Sequence, residues 1–420
     1  MAKPHISVSI LPGYFPPLHK RHARCRHTGL FTFLSTRHRL LRGIWWHHSR
    51  DEEGTILALR QRDRVRRIRL DMSVADLWKF IRVIDEEYSM LEYLIIWTRV
   101  NDSSKVLMLP GALQAPYLRH LALVGFTLPV ESRLLTSAVR LVTLFLFMSN
   151  PSTYFHPNTL LQWLSNMPQL ETLIIFAVPY DDVQMQLTHP PAMILVTLPN
   201  FHHFLFLGHS PYMEALVHRI TPCPEKLEIY LCDQSTASFP RLVQFMNTAE
   251  NIKFEGVKFK FFDCRVSLVV YLSSRAETEM CALSMTVSVS SWEFDWLVSY
   301  VAQISNSFSH IFSVVERLTL ECENEDSWTE GPGVEHYWFN RIEWRQLFSS
   351  FGNVKTLCID NGLVEGVSRS LESDYGEPPL GLLPELQELA YSRSGKTGDG
   401  FTSFIDARQK AGRPVTLTCY

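Results

Sequence analysis

Long hydrophobic runs are missing from this chain of 420 residues. No stretch reaches the roughly 18 apolar residues that a membrane-spanning helix requires, and the longest, such as Leu141 to Met148, are strand-sized, so no membrane partner is expected. Paired cysteines are missing too. The eight cysteines, at positions 25, 223, 232, 264, 281, 322, 358 and 419, form no CxxC pair and no His/Cys spacing of a zinc site, so they read as reduced thiols without a metal. There is no P-loop, no GxSxG and no GxGxxG opening a helix, so no cofactor is expected and catalysis has no motif behind it. The start carries Lys3 but no apolar core followed by a small-residue cleavage site, which points to an intracellular protein, cytoplasmic or nuclear. Acidic residues are absent from residues 1–50, which hold nine Lys and Arg, whereas residues 51–420 hold 31 basic against 43 acidic side chains.

What is present is a short hydrophobic unit that recurs. In MPQLETLII, Met167 to Ile175, the apolar residues Leu170, Leu173 and Ile175 stand three and then two positions apart. The same spacing aligns Val65/Ile68/Leu70, Leu91/Leu94/Ile96, Leu118/Leu121/Leu123, Leu141/Leu144/Leu146 and Phe201/Phe204/Phe206. It continues through Pro224/Leu227/Ile229, Ala249/Ile252/Phe254, Ala282/Met285/Val287, Val315/Leu318/Leu320, Val354/Leu357/Ile359 and Leu386/Leu389/Tyr391. Twelve copies, spaced 23 to 39 residues apart, overlap the range of leucine-rich repeats in the early part and exceed it later. Three residues past the last apolar position only Cys232 supplies the Asn or Cys of the classical repeat. The expected fold is α/β, a leucine-rich-repeat-like solenoid or horseshoe of about 12 irregular strand-helix repeats with a parallel concave sheet.

Between the strands the spacing predicts helices. Val74 to Glu86 carries Val74, Leu77, Trp78, Ile81 and Ile84 at three- and four-residue intervals, an amphipathic stripe. Similar segments are predicted at Glu52 to Gln61, Pro157 to Asn166, Tyr212 to Ile220, Pro240 to Asn247, Glu293 to Ser305, His336 to Phe351 and Phe401 to Ala411. Glu321 to Glu335 and Glu372 to Pro379 read as polar surface loops, and Val415 to Leu417 as an edge strand. Two domains are expected: residues 1–50, a basic and poorly ordered segment containing HKRHARCRH and RHRLLRGIWWHHSR, and residues 51–420, the repeats. A nucleic-acid role for the basic segment is the alternative reading, with an adaptor-independent scaffold as another, but the segment shows neither an RNA-binding sheet signature nor paired helices.

Several phrases carry a family resemblance: RDRVRRIRL (Arg62 to Leu70), APYLRHLAL (Ala115 to Leu123), YFHPNTLLQWLSNMPQLETL (Tyr154 to Leu173) and LPNFHHFLFLG (Leu198 to Gly208). Others are RLVQFMNTAENIKF (Arg241 to Phe254), FGNVKTLCIDNGLV (Phe351 to Val364), and LLPELQELAYSRSG through FIDARQKAGRPVTL (Leu382 to Leu417). From Asp51 to the C-terminus the chain resembles the leucine-rich-repeat region of basidiomycete fungal F-box proteins. That resemblance implies a substrate receptor of an SCF-type ubiquitin ligase, in which an F-box holds a Skp1-like adaptor and the repeats hold the substrate. The F-box itself is not recognisable: Leu11-Pro12 is followed by Gly13-Tyr14-Phe15-Pro16-Pro17, which would break a helix, and Trp45-Trp46 is at most a remnant. Adaptor binding is thus left in doubt.

Alternation along each strand sends the residues flanking the last two apolar positions to the face away from the core. That face is basic at its start, with Arg67 and Arg69, then apolar and aromatic, and polar afterwards. Contiguous exposed apolar residues with aromatic anchors mark partner sites. The candidate partner-binding residues are Arg67, Arg69, Tyr93, Trp97, Phe145, Phe147, Phe176 and Tyr230, the two arginines favouring an acidic rim on a protein partner. Burial of those strands on both faces is the alternative. His202, His203 and His209 are not expected to bind metal, because adjacent strand residues point to opposite faces.

Overall fold

Strand alternation dominates local structure from residue 65 onward. In VRRIRLDM the apolar Val65, Ile68, Leu70 and Met72 are buried while Arg66, Arg67, Arg69 and Asp71 stay partly exposed. A computed structural model of the protein describes residues 6–10, 52–98, 107–129, 131–148, 155–177, 194–232, 238–247, 254–262, 265–272, 281–288, 294–323, 341–372, 381–392 and 400–419. It is a mixed α/β structure with a mostly parallel sheet, and the chain divides into two compact units, Met1–Leu141 and Val142–Tyr420.

In the first unit, β1 (Ile6–Ile10), α1 (Glu52–Leu59), β2 (Val65–Met72), α2 (Val74–Ile81) and β3 (Tyr93–Thr98) are followed by β4 (Leu107–Met108), β5 (His120–Val124), β6 (Phe126–Thr127) and α3 (Arg133–Ser137). β1, β2, β3 and β5 pair side by side, all parallel, and β4 pairs with β6. Of the first fifty residues only β1 is described, and the remaining expectation for that segment lies outside the described residues. The hydrophobic motif sets the register: Ile68 lies opposite Leu94 and Leu94 opposite Leu121, with Leu70, Ile96 and Leu123 aligned the same way.

Ser73 caps α2, its hydroxyl accepting from the Asp76 N–H at 3.3 Å. The helix ends at Ile81, earlier than expected. Leu77, Phe80 and Ile81 are its buried residues, whereas Trp78, expected inside, is 43% exposed, because about 100° of rotation per residue carries it off that stripe. Gly125 turns the chain out of β5 at φ +76°, where a Cβ would lie 2.1 Å from the Thr98 hydroxyl oxygen, itself hydrogen-bonded to the Val124 carbonyl.

The second unit begins with β7 (Thr143–Met148), α4 (Pro157–Leu164), β8 (Thr172–Ala177), β9 (Val196–Thr197), β10 (His203–Gly208), α5 (Ser210–Val217), β11 (Ile220–Thr221) and β12 (Lys226–Leu231). β7, β8, β10 and β12 are parallel neighbours in chain order, with Leu144, Leu173, Phe204 and Leu227 aligned and Leu146, Ile175, Phe206 and Ile229 aligned beside them. Close approach requires Gly208 at the end of β10, since a Cβ there would sit 2.5 Å from the Ala177 carbonyl oxygen.

Next come α6 (Pro240–Asn247), β13 (Phe254–Phe262), β14 (Arg265–Leu272) and β15 (Cys281–Ser288), where the expected all-parallel sheet is interrupted. β12 is paired with β15, β14 runs antiparallel between β15 and β13, and β13 leads on to β16. Only Asp263 and Cys264 separate β13 from β14, too few residues for the crossover that a parallel neighbour needs, so a hairpin is enforced. Two motif copies are corrected here. Val257 and Phe259, not Ile252 and Phe254, lie opposite Leu318 and Leu320. Leu283 and Met285, not Met285 and Val287, lie opposite Leu227 and Ile229; that two-residue shift leaves the same face buried because the strand period is two.

The unit closes with α7 (Phe294–Ser307), α8 (Ser309–Phe312), β16 (Arg317–Cys322), α9 (Arg341–Ser349), β17 (Thr356–Ile359), α10 (Val364–Leu371), β18 (Glu388–Tyr391), α11 (Thr402–Lys410) and β19 (Thr416–Cys419). β16 to β19 are parallel and in the predicted register through β18, and β19 is the expected edge strand beside it. The helical connections lie against the buried side of the sheet: Phe312 and Phe351 stack on each other and meet Phe259 edge-on, while Trp344 lies between Phe261 and Phe348.

Two charged groups serve this helical layer. The Glu214 carboxylate on α5 accepts from the Arg241 and Leu242 N–H groups at 2.8 and 2.9 Å, capping α6 from the preceding helix. Arg408 on α11 is fully buried and donates to the carbonyls of Leu383, Pro384 and Leu386 at 3.0–3.1 Å, fixing the last helix to the segment before β18.

Candidate functional site

The side of each strand opposite the helices carries the residues singled out by alternation. In the first unit these are Arg67 and Arg69 on β2, Tyr93 and Trp97 on β3, and His120 on β5, all partly exposed. Parallel register brings Arg67, Tyr93 and His120 to one level. Neighbouring strands lie about 4.8 Å apart, close to the separation of stacked planar groups. The Arg67 guanidinium carbon sits 4.5 Å from the Tyr93 ring centroid, and the Tyr93 and His120 rings stack at 4.4 Å with 13° between their planes. The signal for His120 was legible in the motif, since it holds the position just before the second apolar residue. Trp97 lies four residues along β3 from Tyr93, at the level of Asp71.

In the second unit Phe145 and Phe147 on β7 are partly exposed, and both meet Phe176 of β8 edge-on, with centroids 5.3 and 5.8 Å apart. Phe176 itself, beside Phe147 on the next strand, is only 3% exposed, so it packs against the other two rather than offering a surface. Leu205 and Leu207 on β10 are buried as well, so the apolar stripe expected through this region is reduced to the partly exposed Phe145, Phe147 and Ile174.

Beyond the leucines the face becomes ionic. The Glu228 side chain on β12 is 1% exposed. Its Oε1 receives Lys226 Nζ at 2.7 Å and lies 3.2 Å from His203 Nε2, and the Tyr230 hydroxyl donates to Oε2 at 3.5 Å. Tyr230 is thus part of a hydrogen-bonded cluster around a buried carboxylate rather than a lone aromatic anchor. Nothing in the composition of β12 marks Glu228 as buried; alternation placed it on the outer face with Lys226 and Tyr230.

Farther on, Lys258 pairs with Glu321 at 2.9 Å and Lys260 with Glu323 at 3.7 Å, neutralising the cations of β13. Burial pulls Lys258 down, but the hydrogen bond to Glu321, with Tyr271 and the Glu321 charge, leaves its pKa above the usual lysine value. Burial raises the Cys358 thiol, with the Arg317 charge opposing it, so this cysteine is held away from the reactive thiolate. His202 and His203 diverge as expected, His202 Nδ1 lying 3.6 Å from Glu225 and His203 turning to Glu228. Among the described residues no three His, Cys, Asp or Glu side chains are grouped to hold a metal ion, and no helix is long and apolar enough to cross a membrane.

The arrangement can therefore do two things chemically: present flat aromatic and guanidinium groups from a rigid sheet, and hold compensated charge beside them. Comparison with known protein families, with characterised proteins and with solved structures gave no match to this chain.

Proposed function

We propose that this protein is a non-catalytic recognition module, a leucine-rich-repeat-like solenoid of about twelve repeats whose sheet face opposite the helices binds a protein, and that it selects substrates for an SCF-type ubiquitin ligase. The observation that carries the recognition reading is the placing of Tyr93 and Trp97 in one unit, and Phe145 and Phe147 in the other, as partly exposed aromatics on paired parallel strands. Large aromatic side chains held on a rigid sheet lose little conformational entropy when covered and supply much of the energy at protein interfaces. The ligase assignment rests on the resemblance of the repeat phrases to fungal F-box proteins.

The test is affinity capture with the full-length chain. A specific protein should be recovered, its cellular level should rise when the chain is deleted, and Trp97→Ala combined with Phe147→Ala should abolish capture while leaving the circular dichroism and melting curve of the chain unchanged. Capture that survives the double substitution overturns the assigned face. A captured protein whose level ignores the deletion overturns the ligase role.

A further inference from the structure

We infer that the Arg67–Tyr93–His120 stack is the anchor for an oxyanion on the bound protein, a carboxylate or a phosphate ester carried by an extended acidic segment; this rests on the recognition reading above. Arginines crowd the approach to β2, and two of them are held by carboxylates. Arg62 bonds to Asp85 and Glu86, and Arg66 lies 3.5 Å from Glu92. Arg67 differs. Among the described residues its guanidinium meets no carboxylate or other acceptor, and its contact is the face of Tyr93. A guanidinium held over a ring face does not spend its N–H donors on the ring, and those donors fit two oxygens of one anion side by side. Stacking in the order Arg67, Tyr93, His120 also holds the guanidinium before a ligand arrives, so less freedom is lost on binding.

The surroundings give the site a direction. Along the same face of β2 the charges change sign, from Arg67 and Arg69 to Asp71 at the level of Trp97. From Tyr93 to Trp97 is four strand residues, about 13 Å at the rise of a β-strand. An extended segment laid along β3 would therefore place its acidic residue on Arg67 and an apolar residue about four positions away on Trp97.

Fluorescence anisotropy with the full-length chain tests this with three labelled peptides alike except at one position: glutamate four residues from a leucine, phosphoserine in its place, and glutamine in its place. The glutamate or the phosphoserine peptide should bind at least about tenfold more tightly than the glutamine peptide, with the tighter of the two naming the source of the oxyanion. Arg67→Lys keeps the charge but loses the planar fork, and should weaken that binding nearly as much as Arg67→Ala. Equal binding of all three peptides, or an Arg67→Lys chain that binds like the parent, overturns the inference. If that happens while the Trp97 and Phe147 substitutions still abolish capture of the partner, the oxyanion anchor alone is lost; if capture is also indifferent, the recognition reading falls with it.

Discussion

Arg67 in the first unit and Lys226 in the second hold the same motif position, immediately before the second apolar residue, and both are cations on the outer face of a parallel strand. Their surroundings differ in kind. Arg67 lies on an aromatic ring with its donors unclaimed among the described residues, whereas Lys226 is committed to a carboxylate that is almost wholly buried. One position thus serves recognition in one unit and internal charge balance in the other. Position within the motif says which way a residue points, but whether it is available depends on what stands beside it: Tyr93 on the next strand for Arg67, and Glu228 two residues along the same strand for Lys226.

The largest expected effect extends the comparison to a third cation. Arg408 is buried with carbonyls as its acceptors, so Arg408→Met should remove the donor to the Pro384 and Leu386 oxygens, the Leu383 oxygen keeping the Leu386 N–H, and cost about 3 kcal/mol in urea unfolding. A loss under about 1 kcal/mol would mean that water replaces the guanidinium.

The direct comparison comes next. Lys226→Ala leaves the Glu228 carboxylate buried with His203 and Tyr230 and should lower unfolding stability by about 2 kcal/mol, moderated because Lys226 is 44% exposed and solvent already screens it. Arg67→Ala removes only a partly exposed stacking contact and should change stability by less than about 1 kcal/mol. Equal losses at the two positions would break the distinction drawn between them.

The smallest effect contrasts two carboxylates. Glu228 has a cation, whereas Glu214 is compensated by backbone N–H groups; burial raises the Glu214 pKa above 4.5, with the Arg241 and Leu242 N–H bonds opposing the rise. A raised carboxylate pKa favours the folded state while the group is protonated. Its contribution should be complete below the unfolded value near 4.5 and fade as pH rises through the folded value. Glu214→Gln should flatten that part of the stability profile, as followed by thermal melts across the acidic range.

Much of this was legible in the residues. The spacing Leu170, Leu173, Ile175 located the strands and their buried faces, because a period of two leaves no freedom about which side enters the core. Proline stands first in α4 and α6 and second in α5, positions where its missing N–H costs a helix little. The hairpin of β13 and β14 was missed because period-two patterning is the same in parallel and antiparallel strands; the two-residue link was the available signal. At the candidate site, alternation found Arg67, Tyr93 and Trp97, but it could not reveal that Phe176 is covered or that Glu228 is compensated.

The sequence by itself determined the strand-helix rhythm, the core-facing residues and the composition of the outer face, since these follow from periodicity and local sterics. Tertiary structure alone decided the strand order β12-β15-β14-β13-β16 and the stacking of Arg67 on Tyr93 and of Tyr93 on His120. It also decided the burial of Glu228 between Lys226 and His203. The physical reason is range. Alternation acts between residues two apart in the chain, whereas the stacking of Arg67 on Tyr93 and the approach of His203 to Glu228 join residues about 25 positions apart that meet only when strands pair.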